Sequence, residues 1–274
     1  MTNTPREVAS SPEAIQRATD RLWTAYETRQ TCDPLGDILI PGDIAGAYAV
    51  QAAQKSRWLD AGRRLIGRKV DLTAKAGQEA CDTNHPVHGS LYADMEVADG
   101  DVLVPGTLLQ PRAEGEVAFV LSRDLTEEEP TIVDIIRAVE FVLPAIDIID
   151  SRIAGIGKDA VDMIADNVSA GGYVLGPEPK VLAGLNLRMC GMVMERNGQP
   201  ASVGAGLNCL GHPLHSLRWA AREMLRQGCP LRAGEIILSG PLGPMVHFGP
   251  GDFIEVHISG VGSVSLIHGK GQDA

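Results

Sequence analysis

Beyond Gly62 the chain is broken into short apolar and β-branched runs by glycine, proline and Asx residues, a pattern that admits many short strands and few long helices. Strands are expected at 63–73, 102–104, 115–122, 139–149, 173–175, 187–196, 235–239, 253–258 and 263–267, with helices at 131–138 and 213–227. The Asn197-Gly198 pair, whose residues both tolerate positive φ, predicts a tight hairpin turn after the run that ends at Arg196. Before Gly62 the pattern is different. Ile15, Ala18, Leu22, Ala25 and Tyr26 recur at helical spacing behind Ser11-Pro12, and an alanine-rich run from Asp43 stops at Gly62. The expected organisation is an N-terminal helical portion over 1–62 and an α+β domain over 63–274.

Bulk properties narrow the function. With 44% hydrophobic and 22% charged residues and 31 glycines, the 274 residues describe a loop-rich globular protein. Thirty-five acidic against 24 basic side chains, a net charge of -11, argue against nucleic acid or anionic membrane as partner. An anionic small molecule then needs local cations or a metal. Five scattered cysteines with no CxxC pair suggest neither a disulfide framework nor structural zinc. No stretch has the apolar length of a signal peptide core or a membrane span, so the cytoplasm is the expected compartment.

Chemistry concentrates in Arg112-Ala113-Glu114-Gly115-Glu116. On a strand, Glu114 and Glu116 point to one face. Two adjacent carboxylates suit a hard divalent ion such as Mg²⁺ or Mn²⁺, which prefers oxygen ligands and keeps positions open for water and substrate. The spacing equally admits a solvated sheet face. Asp147 and Asp150 interrupt a second apolar run, and Asp147, between isoleucines, is the better third ligand if a cation compensates it. Lys69 sits in a short strand, where it is either an exposed edge lysine or a group that holds a carboxylate or moves a proton. His85 and His88 lie in a polar loop over 74–89 suited to a lid, and Pro86 between them disfavours shared metal ligation.

Eight segments in order, GRKVDLT (67–73), GSLYADM (89–95), QPRAEGEVAFVL (110–121), VLPAIDIIDSR (142–152), ADNVSAGGYVLG (165–176), GAGLNCLGHPL (204–214), LSGPLGPMV (238–246) and GVGSVSL (260–266), resemble the 2-hydroxypenta-2,4-dienoate hydratase and 4-oxalocrotonate decarboxylase group of the fumarylacetoacetate hydrolase superfamily. The resemblance implies a mixed β-roll-like fold with an N-terminal helical portion. It implies Mg²⁺ or Mn²⁺ held by Glu114, Glu116 and Asp147, a position where most members carry glutamate. Lys69 matches the active-site lysine, and Leu91, Ser169 and Gly240 are expected to line the substrate. The implied substrate is a small 2-oxo or 2-hydroxydienoic acid, which a hydratase converts to a 4-hydroxy-2-oxo acid. A decarboxylase, or a relative turning the same enolate chemistry to another substrate, is the alternative. A homo-oligomer is implied too, with a possible complex with a related pathway enzyme.

Two departures from the group's pattern concern proton transfer. Hydratases commonly carry Pro-Asp-aromatic-Gly where this chain has Pro86-Val87-His88-Gly89, and an aliphatic residue at that place is a decarboxylase trait. Asp71 stands where glycine is usual, on the same strand face as Lys69. Asp71 and His88 are therefore the candidates for a relocated acid–base.

Overall fold

A computed structural model describes residues 9–155 and 159–270. The first eight residues lie outside them. Six α-helices are present among the described residues: α1 (Pro12–Thr28), α2 (Ile44–Asp60), α3 (Lys75–Ala80), α4 (Ile132–Ala138), α5 (Ala160–Ala165) and α6 (Pro213–Arg226). The strands are β1 (Leu65–Asp71), β2 (Val87–Tyr92), β3 (Glu96–Ala98), β4 (Val102–Leu103), β5 (Arg112–Leu121), β6 (Val139–Ile149), β7 (Ala170–Leu175), β8 (Gly191–Arg196), β9 (Gln199–Ala205), β10 (Ile236–Leu238), β11 (Val246–His247), β12 (Phe253–Ile258) and β13 (Gly262–His268).

Local signals place the helix ends. The Ser11 hydroxyl accepts from the Ala14 N–H ahead of Pro12, and Asp43 accepts from Gly46 N–H. Gly62, at φ 86°, follows the C-cap of α2. The Asn197-Gly198 turn has both φ values positive, 55° and 73°, and joins β8 to β9. The loop expected over 74–89 instead contains α3 and the start of β2.

Two mixed sheets form the body. The larger runs β2-β1-β10-β5-β6-β7-β3, with β11 also on β5; the smaller runs β4-β13-β12-β8-β9. Alternation along β5 and β6 divides their side chains between two environments. Ala113, Val117, Phe119, Ile146 and Ile148 pack against Met192, Met194, Ile254, Val256 and Leu266 of the smaller sheet. A Cβ added to Gly115 would stand 3.0 Å from Val256 Cγ1 and 3.1 Å from Met192 Sδ, so the smaller sheet packs tightly against β5 between the two glutamates. The opposite face of β5 and β6 carries the site.

That face is rolled. Asn167, just before β7, accepts from the Ser90 N–H of β2 through Oδ1 (2.7 Å) and donates Nδ2–H to Ser90 O (3.0 Å). A side chain thus bridges from the β7 end of the sheet to β2 where no ladder does. Helices α1 and α2 share a core with α5 and Val168, packed around Leu22, Ala47, Val50 and Ile164.

Candidate metal centre

Within the roll, side chains stand in rows that follow the two-residue period. On β5 the row is Arg112, Glu114, Glu116, Ala118. On β6, paired so that Glu114 faces Asp147 and Glu116 faces Ala145, it is Ile149, Asp147, Ala145. The β1 row holds Lys69 and Asp71. Apolar side chains close the floor: Leu91, Ala118, Ala145, Tyr173 and Leu238 form one buried cluster. The ionic level lies directly above, with Lys69, Glu116 and Asp147 fully buried and Glu114 2% exposed. These carboxylates are not on a solvated face.

One carboxylate oxygen from each of Glu114, Glu116 and Asp147 lies within 4.8 Å of the others. Glu116 Oε2 accepts the Gly240 N–H at 2.6 Å, while Glu116 Oε1 and Glu114 Oε2 have no hydrogen-bond partner among the described residues. Lys69 Nζ is 2.5 Å from Asp147 Oδ2 and 4.0 Å from Asp71 Oδ2. The Lys69–Asp147 contact is an ion pair by distance, although the groups are not oriented for a hydrogen bond. Asp147 Oδ1 has no partner either. Buried acceptors left unpaired around a common point fit a hard cation in both charge and donor type. Glu114, Glu116 and Asp147 would hold it.

The electrostatics follow from burial. Burial, with neighbouring carboxylates, pushes Glu114 and Glu116 well above the ordinary carboxylate range. Burial also raises Asp71 and Asp147, against the pull of Lys69. For Lys69, desolvation would lower the pKa, but Asp147, Asp71 and Glu114 outweigh it and the ammonium stays charged. Asp71 Oδ1 accepts the Leu72 N–H at 2.6 Å, which orients the carboxyl beside Lys69 and outside the three-carboxylate group.

The sequence-predicted residues separate into three groups. Lys69, Asp71, Glu114, Glu116 and Asp147 come together, and Gly240 joins them through its N–H. Gly240 has φ 95°, and a Cβ there would stand 2.5 Å from Thr73 Cγ2, so the close approach needs glycine. Leu91 belongs to the apolar floor, and Ser169 lies in the turn beside β2, its hydroxyl 3.4 Å from Asp166 Oδ2. His88 is not brought to the centre. It pairs with Val70 on β1, one residue out of phase with Lys69 and Asp71, and so points to the other face. There its ring stacks on Tyr48, 4.6 Å between centroids, and Nε2 meets Gln227 Nε2 at 2.9 Å. Burial, with the charges of Arg68 and Lys55, lowers its pKa to about 3 and keeps it neutral.

Gly89 was given no role from the sequence, and Asn167 only weak weight, in an Asx cluster that could line a site or form a turn. Gly89 faces Lys69 in the β1–β2 ladder, and a Cβ on it would stand 2.6 Å from Asn167 O and 3.2 Å from Lys69 Cγ. Reading 87–92 as a strand would have placed Gly89 on the lysine face.

Residues 68–266 match the model of the fumarylacetoacetate (FAA) hydrolase C-terminal family. The chain is 47% identical over 254 residues to 2-keto-4-pentenoate hydratase 1 of Dechloromonas aromatica, covering 93% of this chain and 97% of that protein. It is 44% identical over 254 residues to 2-keto-4-pentenoate hydratase of Paraburkholderia xenovorans, covering 93% and 94%. Among solved structures it is similar to 4-oxalocrotonate decarboxylase from Pseudomonas putida G7, complexed with magnesium and adipate, with TM-score 0.89, 30% identity and coverage of 94% and 98%. The chain therefore belongs to the fumarylacetoacetate hydrolase superfamily, in the family of 2-keto-4-pentenoate hydratases and 4-oxalocrotonate decarboxylases.

Proposed function

We propose that this protein is a divalent-metal-dependent hydratase that converts 2-hydroxypenta-2,4-dienoate to a 4-hydroxy-2-oxo acid. The observation that carries the reading is the buried group of Glu114, Glu116 and Asp147, with unpaired oxygens and Lys69 beside it. The relatives at 44% and 47% identity are named as hydratases of this type. Mg²⁺ or Mn²⁺ is the proposed ion, and magnesium is present in the similar decarboxylase. Bound there, it would supply a Lewis acid for the 2-oxygen of the acid.

Lys69 places a fixed positive charge where the 2-oxygen carries negative charge in the enolate form. Asp71, the one carboxylate at this level outside the proposed ligand set, is assigned to hold and return protons. Conversion of dienol to enone moves a proton from the 2-hydroxyl to C5, and water then adds as hydroxide at C4 and a proton at C3. Asp71 is the nearest carboxyl to Lys69 after Asp147 among the ion pairs Lys69 makes. Leu91 and Ser169 are assigned to the walls, and the Gly240 N–H to holding Glu116 in place.

The same reading places the enzyme in aromatic catabolism by meta-cleavage, in the cytoplasm, as a homo-oligomer able to associate with a related pathway enzyme. Decarboxylation of a 4-oxalocrotonate-type acid is the second reading, favoured by Val87, which faces Asp71 in the β1–β2 ladder. Incubating the protein and Mg²⁺ with each acid decides between them. Loss of diene absorbance with formation of the 4-hydroxy-2-oxo acid is expected, without carbon dioxide. Carbon dioxide release from the second acid alone would reverse the assignment, and no change with either would remove both.

A further inference from the structure

The β5 row does not end at Glu114. Two residues earlier, on the same face, stands Arg112, where the row passes from buried to half-buried. The open end of the roll therefore lies at this residue, and anything reaching Glu114 along the row passes it. Arg63, Arg68 and Arg152 are each held by a carboxylate. Arg112 is different: among the described residues its one hydrogen bond runs from Nη1 to Met245 Sδ, 3.1 Å, and its buried Nε has no partner. Glu114 follows two residues on along the same strand face, so the guanidinium stands next to a proposed ligand of the ion.

Charge balance gives this cation a task. The ionic level holds four carboxylates, Asp71, Glu114, Glu116 and Asp147, against the single ammonium of Lys69. Even with a divalent ion the balance with all four ionised stays negative, which opposes the entry of another anion. A guanidinium at the rim removes that opposition and presents a donor fork matched to a carboxylate.

We infer that Arg112 binds the carboxylate of the incoming 2-oxo acid, fixing the acid's orientation at the mouth of the roll beside Glu114. The inference rests on the proposed 2-oxo-acid chemistry, and its test separates the two. Pyruvate and pyruvamide share the 2-oxo group and differ in the carboxylate's charge. Their binding to the Mg²⁺-loaded protein is measured by calorimetry for the parent, Arg112→Gln and Arg112→Lys, and Mg²⁺ binding is measured alone.

Arg112→Gln is expected to weaken pyruvate about ten- to a hundredfold, as for loss of a charge-assisted hydrogen bond. Pyruvamide binding should be unchanged, and Mg²⁺ binding unchanged or tighter because a nearby cation is gone. Arg112→Lys should recover part of the pyruvate affinity. Parent-like pyruvate binding by Arg112→Gln would overturn the inference, as would an equal loss for pyruvamide or a parallel loss of Mg²⁺. Absence of pyruvate binding by the loaded parent would instead overturn the 2-oxo-acid reading, and this assignment with it.

Discussion

Lys69 Nζ lies 2.5 Å from Asp147 Oδ2 although β10 and β5 separate their strands in the sheet. Three inter-strand steps in a flat sheet span about 14 Å, which two side chains standing perpendicular to that sheet do not bridge. The contact is a consequence of the roll, and the roll is what converts an alternating surface into an enclosed centre. Removing the ammonium should therefore expose how much the fold depends on charge compensation.

Lys69→Met leaves four buried carboxylates without a cation. The metal-free variant is expected to be about 3–5 kcal/mol less stable than the metal-free parent, as for breaking a buried pair from one side. Mg²⁺ should raise the unfolding temperature more in the variant, because the ion no longer competes with an ammonium for Asp147. Thermal denaturation with chelator and with saturating Mg²⁺ measures both. Equal Mg²⁺ responses would mean that Lys69 and the ion do not share Asp147. Turnover should fall by at least about a hundredfold, since a fixed charge aimed at the developing oxyanion is lost.

Metal dependence should itself vary with pH. Glu114 and Glu116 have pKa values raised in the metal-free folded protein by burial and by repulsion from neighbouring carboxylates. The folded state then binds more protons than the unfolded chain, and the stability this gives is present below the ordinary carboxylate pKa and is lost as pH rises through the folded values. Metal-free protein should therefore be more stable near pH 5.5 than near pH 8 as far as these groups decide it. Mg²⁺ should stabilise more at the higher pH and release protons on binding. Urea unfolding with and without chelator at the two pH values, with calorimetry in buffers of different ionisation enthalpy, reads these effects. Proton uptake on Mg²⁺ binding would contradict the assignment of the ligands.

His88 gives the opposite pH signature. Its folded pKa is lowered to about 3 from an ordinary 6.5, mainly by burial. The unfolded chain takes up this proton first, so stability is full above about pH 6.5 and declines as pH falls toward 3. His88→Asn should flatten that part of the acid unfolding profile. Turnover near neutral pH should change by less than about threefold if the variant is folded, because the ring faces Tyr48 and Gln227. A hundredfold loss of turnover with an intact fold would return His88 to the chemistry.

What the sequence made legible was local. The Ser11 and Asp43 caps, the Asn197-Gly198 turn and the shared face of Glu114 and Glu116 depend on residues a few positions apart. The full strand 139–149 was also legible, being long and apolar. Strand β2 was not, since all six residues of Val87–Tyr92 are buried and give no polar alternation. Missing it hid the phase that puts Gly89 beside Lys69 and His88 behind it. The Lys69–Asp147 contact joins residues 78 positions apart through the curvature of a sheet, which no spacing rule encodes. Arg112 was within reach: it follows the same two-residue period that singled out Glu114 and Glu116.

The seam at Asn167 offers the sharpest test of the roll. Asn167, Val168 and Ser169 have φ values of 52°, 51° and 51°, a left-handed run that is unfavourable for a β-branched residue such as Val168. The surroundings hold it there. Arg152 donates from Nε to Asp166 Oδ1 and from Nη2 to Asp166 O, Asp150 N–H donates to Ser169 O, and Val168 is fully buried. Asn167 then completes the closure through its two bonds to Ser90. Asn167→Ala removes both bonds and leaves buried backbone groups of Ser90 unpaired, at about 1–3 kcal/mol for each group. Asn167→Asp keeps an acceptor for the Ser90 N–H but has no donor for Ser90 O, and should fall between the parent and Asn167→Ala. Since β2 carries Gly89 against Lys69, loosening the seam should also speed hydrogen exchange at Gly89 and Ser90 ahead of global unfolding. If Asn167→Ala unfolds at the parent's denaturant midpoint, with unchanged exchange in β2, the roll is held closed elsewhere.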